Sequence, residues 1–301
     1  MTMPNFLIIG APKAGSTSLY RYLSEHPQIY MSPVKQPKFF AFEGEKVNYQ
    51  GPKDAFKPYV TDLGTYHSLF EGVSDEIAIG EASSWYLYIP KSSERIYHHI
   101  PEAKLIAILR DPVDRAYSNF LSQVQLDYEP FNDFAKALDA EPIRIKKNWS
   151  PRWHYKQRGF YYQQLKPYFQ KFNSKQIRIY LHQDLSNNRQ KMLTDIFQFL
   201  GVDNTFEPDL SRKYNVTKSP RNRKLFQFFS KPNIIKAMFR PFFTPDQRTR
   251  IVSKLTQLST RPKPSLSLEI RERLISEYRE DILSLQDLIQ RDLSSWLALE
   301  K

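Results

Sequence analysis

Three places in this chain end an apolar run with residues able to do chemistry. Lys13 lies within Gly10-Ala11-Pro12-Lys13-Ala14-Gly15-Ser16, directly after Phe6 to Ile9. Arg110 closes Lys104-Leu105-Ile106-Ala107-Ile108-Leu109, and Glu81 ends a shorter run that begins at Glu76. A small-residue turn leading into a helix makes an anion cradle, because unpaired backbone N–H groups and the helix dipole point at one spot. Lys13 adds a full charge to that cradle. Arg110 carries a planar fork suited to gripping a phosphate. Two separate grips of this kind imply a nucleotide phosphorylated at two places. Ser118, two helical turns beyond Arg110, could add a hydroxyl contact.

The glycine spacing of the first turn matches the P-loop pattern G-x-x-x-x-G-K-[ST], but the lysine does not. Ser16 stands where a triphosphate-binding loop needs its Lys, and the lysine sits inside the turn at position 13. This predicts a phosphate-like group held without the usual magnesium arrangement. Leu105 to Leu109 followed by Asp111 has the look of a magnesium-holding strand. Arg110 at its tip and Pro112 leading straight into a helix argue against that use.

The elements that must position these residues alternate strand and helix. Leu19, Tyr22 and Leu23 have helical spacing after the first turn, and His26-Pro27 stops that helix. Residues 31–42 hold prolines 33 and 37 and three phenylalanines, which predicts an extended segment at the lip of a cleft. A short helix is expected near Tyr66 to Phe70, a strand ending at Gly80-Glu81, and a helix over Ser92 to His99. The strand Lys104 to Leu109 leads into a helix begun by Pro112, a good first-turn residue. Residues 127–153 read as a polar stretch. A helix over 155–172 should be kinked or divided by Pro167. Ile177 to Leu181 reads as a strand, Gln190 to Leu200 as a helix closed by Gly201, and about Leu268 to Leu297 as the last helix. Such alternation implies a parallel sheet with helices on both faces and a ligand beyond the carboxyl ends of the strands. We expect an α/β, P-loop-like three-layer fold with a central parallel sheet flanked by helices, in one domain spanning residues 1–301.

Composition narrows the class. The chain of 301 residues is 41% hydrophobic and 14% aromatic, enough for a sizeable core, with a net charge of +12 and no cysteine. The absence of cysteine excludes disulfides, thiol nucleophiles and cysteine-ligated zinc. The charge predicts attraction to anions. No apolar run approaches the roughly 20 residues of a membrane span. Met1-Thr2-Met3-Pro4 leads directly into the first strand, so we expect no signal peptide and a cytoplasmic protein.

The motifs resemble those of the sulfotransferases that use 3′-phosphoadenosine 5′-phosphosulfate (PAPS), in particular the carbohydrate group typified by the heparan sulfate enzymes. The P-K-x-G-[ST]-[ST] form of residues 12–17 is similar to that family's 5′-phosphosulfate loop. Lys104 to Asn119, with Arg110-Asp111-Pro112 and Ser118, is similar to its 3′-phosphate motif. Looser matches are Lys35-Gln36-Pro37-Lys38-Phe39-Phe40, Arg158-Gly159-Phe160-Tyr161 and the tail Leu285 to Trp296.

The resemblance implies sulfuryl transfer from PAPS, without a metal, to a hydroxyl or amine. Lys13 would contact the bridging oxygen of the leaving phosphate. The loop Lys13, Ala14, Gly15, Ser16, Thr17 and Ser18 would hold the 5′-phosphate. Arg110 and Ser118 would hold the 3′-phosphate, and Lys218 and Arg221 would close over the nucleotide. Glu81 falls where the carbohydrate group has its general base, although Ala82-Ser83-Ser84 replaces the Lys-Thr-Pro that relatives often carry. A histidine base, as in the small-molecule group, has His67, His98, His99 and His154 as local candidates, each better read as a surface or helix-end residue.

Lys35, Lys38, Phe39, Trp85 and Arg158 are candidate acceptor contacts. With Phe40, Tyr86, Trp149 and Trp153, the aromatic ones could line a cleft that stacks on sugar rings. The acceptor expected is a carbohydrate. A lipid, polyketide or other small alcohol is the alternative, and a nucleotide kinase or a polyanion binder is more distant. We expect no nucleic-acid partner.

Overall fold

The computed structural model describes residues 2–52, 59–210, 219–220, 260–261 and 264–299. Five parallel strands form its centre: β1 (Phe6–Gly10), β2 (Ile29–Met31), β3 (Ala78–Ala82), β4 (Lys104–Leu109) and β5 (Ile177–Leu181), in the spatial order β2-β3-β1-β4-β5. Every residue of β1 is buried, as are the last five of β4. A strand covered on both faces reads as a continuous apolar run, which is why these two stand out in the sequence.

The chain leaves β1 through α1 (Ser16–Leu23) toward β2 on one side. It leaves β3 through α4 (Ser92–His99) and crosses β1 to reach β4. Right-handed crossovers in opposite directions put α1 and α4 on opposite faces of the sheet. From β4 the chain continues outward through α5 (Pro112–Gln125), α6 (Phe134–Asp139), α7 (Glu141–Lys146) and α8 (Tyr161–Lys171) to β5. The connections after β1 and β4 therefore diverge, and the crevice between those two strand ends is the switch point where α/β sheets bind ligands.

Several expectations need correction. Phe39–Phe42 is not extended. It forms a short helix, α2, and its phenylalanines are buried. The short helix α3 spans Leu63–Ser68, begun by Asp62 accepting from the Thr65 N–H. Residues 127–153 contain α6 and α7, each too short to impose a visible period. Pro167 stands inside α8 without dividing it. After β5 come α9 (His182–Asn187) and α10 (Arg189–Leu200), the latter closed by Gly201 at φ 83°. The last helix, α11, spans Leu268–Ile289 and stops at Gln290 in the left-handed region, short of the expected Leu297. The Gln286 side chain then accepts from the Leu293 N–H, turning the chain back. Ser219–Pro220 and Thr260–Arg261 pair as a small antiparallel ribbon, β6 and β7.

Candidate active site

The turn after β1 is shaped by backbone conformation. Its cradle requires Gly15, whose φ of 113° is in the left-handed region and where a Cβ would run into Leu185. Lys13 also has a positive φ, 65°, an uncommon conformation for a residue with a side chain. Gly15 caps α1 without a side-chain bond, and the N–H groups of Ser16, Thr17 and Ser18 precede the first full helical bond, from the Leu19 N–H to the Gly15 carbonyl. Ser16 is buried, and Lys13, Gly15, Thr17 and Ser18 are half-buried.

Arg110 closes on the same turn. Its Nη1 donates to the Lys13 carbonyl at 3.3 Å, and the Ala11 N–H donates to the Ile108 carbonyl at 2.7 Å, tying the turn to β4. The two cations feel each other. Burial first, and then the Arg110 charge, push the Lys13 ammonium down to about 8. Neither Lys13 nor Arg110 pairs with a carboxylate among the described residues. Two adjacent cations without a counter-charge repel, and an anion between them would relieve that repulsion.

Asp111, beside Arg110, serves the fold. Its carboxylate accepts from the Asp114 N–H at the start of α5 and faces Arg271 at 3.9 Å. Ser118 lies buried on α5. Lys218 and Arg221 lie outside the described residues. Among the described residues no group of His, Asp and Glu could hold a metal ion. No described helix is long and apolar enough to cross a membrane.

Glu81 lies on β3, in register with Leu7 of β1. It is fully enclosed, at 0% exposure. Its Oε1 accepts from the Tyr66 hydroxyl at 3.3 Å and from the Tyr86 hydroxyl, while its Oε2 has no partner among the described residues. Burial raises its pKa to about 7, against the pull of Tyr86, Ser83, Tyr66 and the Lys35 charge. Lys35 is half-exposed on the segment that docks along β3, where the Gln36 N–H donates to the Ala82 carbonyl and the Lys38 N–H to Ser83 Oγ.

The other proposed acceptor contacts form a packed wall rather than a lip. Lys38, Phe39, Trp85 and Arg158 are 2, 0, 3 and 3% exposed. Phe39 stacks on Tyr66 at 4.3 Å between ring centroids. The Lys38 ammonium lies 4.0 Å from the centre of the Tyr59 ring and 4.9 Å from that of Trp85. Arg158 sits 5.6 Å from Trp85 and donates to the carbonyls of Pro151 and Ser84. Phe40, Tyr86 and Trp153 are equally buried and Trp149 is half-buried. A ring with no accessible face cannot stack on a sugar, so the buried rings among these belong to the core.

Of the histidines weighed, His154 is buried and binds Tyr88 and the Trp149 carbonyl, while His99 meets Glu43. Two residues that the sequence did not single out as site candidates also reach the site. His182, the first residue after β5, lies next to Gly15, and burial followed by the Arg110 charge lowers its pKa against the pull of Asp114. Tyr161 donates its hydroxyl to the Arg110 carbonyl at 2.9 Å. The strand-end rule that singled out Arg110 would have found His182; Tyr161 closes the looser match Arg158-Gly159-Phe160-Tyr161, which assigned it no role.

Comparison with known proteins identifies the family. The profile described as "Sulfotransferase family" matches residues 4–208. The chain is similar to carbohydrate sulfotransferase 15 of Mus musculus (27% identical, covering 72% of this chain and 46% of the relative). It is also similar to the bifunctional heparan sulfate N-deacetylase/N-sulfotransferase 4 of the same organism (26% identical, covering 99% of this chain and 31% of the relative). The chain thus spans less than half the length of these curated relatives. Among solved structures, a sulfotransferase from Alicyclobacillus acidocaldarius superimposes with a TM-score of 0.75 at 31% identity, over 99% of this chain and 100% of its own. With its P-loop-like sheet, its cationic turn after β1 and the profile match across most of its length, the chain belongs to the sulfotransferase family.

Proposed function

We propose that the protein transfers the sulfuryl group of PAPS to a hydroxyl or amine of a carbohydrate acceptor, and that residues 1–301 act as one transferase domain. The observation that carries this reading is the adjacency of Lys13 and Arg110 at the diverging ends of β1 and β4, both without a carboxylate partner among the described residues. The fit is to a doubly phosphorylated nucleotide. The N–H groups of residues 14–18 and the Lys13 ammonium suit the 5′ end, and the Arg110 guanidinium with Ser118 suits the 3′-phosphate. Lys218 and Arg221 belong to the same proposal as a cover over the nucleotide.

When bound, the donor supplies the sulfuryl group. Lys13 holds its proton beside the oxygen on which negative charge grows, so its stabilisation is larger in the transition state than before it. Glu81 takes the acceptor's proton on Oε2, the oxygen that no described neighbour uses. A pKa near 7 suits that task at neutral pH. Because Glu81 is enclosed, the acceptor reaches Oε2 only if part of its cover gives way, and we assign that role to the segment of half-exposed Lys35, whose charge acts on Glu81. Lys35 on that segment is then the nearest candidate contact for the acceptor. The carbohydrate class rests on the curated relatives named above.

The burial of Glu81 favours a second reading of that one residue: a carboxyl that locks Tyr66 and Tyr86 in place and takes no proton from substrate.

The test of the donor is calorimetric titration with adenosine 3′,5′-bisphosphate, with AMP and ATP-magnesium as controls. Tighter binding of the bisphosphate is expected. Tighter binding of ATP-magnesium would overturn the proposal in favour of a kinase or NTPase.

A further inference from the structure

Arg110 stands on the last turn before α5, and its own residue type does not fix where its guanidinium points. Its peptide is held from outside. The carbonyl of Arg110 accepts the Tyr161 hydroxyl at 2.9 Å, while the guanidinium donates to the Lys13 carbonyl at 3.3 Å. Tyr161 is wholly buried, and burial raises its pKa to about 12, so the hydroxyl remains a donor at any ordinary pH.

Tyr161 is itself set by a distant part of the chain. It is the first residue of α8, a helix whose N-cap residue supplies no side-chain bond. Asp281 of α11 takes that part: its carboxylate accepts from the N–H groups of Tyr162 at 3.0 Å and Gln163 at 3.2 Å. The approach to α8 is pinned as tightly. Glu141 accepts from the N–H groups of Lys156 at 2.7 Å and Gln157 at 2.8 Å, and the Tyr278 hydroxyl donates to the Lys156 carbonyl at 2.8 Å. Gly159 admits no side chain, because a Cβ would meet the Tyr278 ring at 2.6 Å. The segment 156–163 therefore has little freedom, and the hydroxyl of Tyr161 arrives at one place.

We propose that Tyr161 is a positioning residue for Arg110: by fixing the Arg110 peptide it aims the guanidinium, and Asp281 acts one step further back by fixing Tyr161. The inference rests on the reading of Arg110 as the grip on the 3′-phosphate. It predicts an effect confined to that phosphate, which general damage to the fold would not produce.

The experiment measures the Kd of adenosine 3′,5′-bisphosphate and of AMP, which lacks the 3′-phosphate, for the full chain, for Tyr161→Phe and for Asp281→Asn. The full chain should prefer the bisphosphate. Tyr161→Phe should bind AMP within twofold of the parent and lose about tenfold of the preference, the scale of one buried hydrogen bond. Asp281→Asn keeps one acceptor oxygen and should lose about threefold. An unchanged preference in Tyr161→Phe, or equal weakening toward both nucleotides, overturns the inference. If Tyr161→Phe gives no cooperative melt, an unchanged preference in Asp281→Asn overturns it instead. If the full chain shows no preference at all, the assignment of Arg110 falls first, and the two failures are thereby told apart.

Discussion

The donor side and the acceptor side of the candidate site are built in opposite ways. On the donor side, backbone N–H groups, a left-handed glycine and two cations without acidic partners among the described residues gather at the tips of β1 and β4. On the acceptor side, a carboxyl, a lysine and an arginine are sunk among aromatic rings. Among the described residues the first arrangement leaves charge uncompensated, which suits it to an anionic ligand. The second engages each charged group internally, with tyrosine hydroxyls for Glu81 Oε1, ring faces for Lys38 and carbonyls for Arg158, and leaves Glu81 Oε2 without a partner among the described residues. Substitutions on the donor side should therefore cost function, and many on the acceptor side should cost stability first.

The largest effect expected is that of Lys13→Ala. It removes ground-state grip and leaving-group charge together, and kcat/KM for the donor should fall by on the order of 10³–10⁴-fold. The melting temperature should hold or rise, since one of two repelling cations is gone. A variant that keeps its turnover would place the chemistry elsewhere.

Glu81→Gln tests whether the two sides meet. As a general base it should lose about 10²–10⁴-fold in kcat. The sign of the pH dependence follows from the two shifts. Glu81 must be ionised, so activity rises with pH through about 7, and Lys13 must stay protonated, so activity falls above about 8. The kcat/KM profile, which reports the free enzyme, should be a narrow bell between those limbs. In kcat the alkaline limb should move upward, because a bound anion holds the lysine proton more tightly. Glu81→Gln should erase the acid limb and leave the alkaline one. An acid limb that survives, with kcat near the parental value, would favour the locking role of Glu81.

The smallest effect on chemistry belongs to Phe39→Ala. Emptying this buried site should destabilise the fold by about 3–5 kcal/mol in denaturant titration. Bisphosphate affinity of the folded fraction should stay within twofold. A large loss of nucleotide affinity would erase the contrast between the two sides.

The same contrast governs what the sequence could reveal. The donor side needs particular residue types at fixed spacing: Gly15 for a backbone angle, Lys13 inside the turn, Arg110 at a strand tip. Such requirements are written locally, and the strands beneath them are apolar because both their faces are covered. The acceptor side is defined by packing between segments far apart in the chain. Nothing in Lys38-Phe39-Phe40 distinguishes rings that line a cleft from rings that fill a core, and Pro33 and Pro37 suggested an extended path although α2 begins directly after them. Helices α6 and α7 went unread because each has only six residues. The hold of Tyr161 on Arg110 spans 51 positions and leaves no periodic trace.

The helix α11 and the turn beyond it reach the first turns of three other helices. Arg271 meets Asp114 of α5, Asp281 caps α8, and beyond its end Arg291 grips Asp184 of α9. Order of synthesis gives this brace a meaning that distances alone do not. Because α11 follows α5, α8 and α9 in sequence, this brace closes only after the three helices it holds have been made.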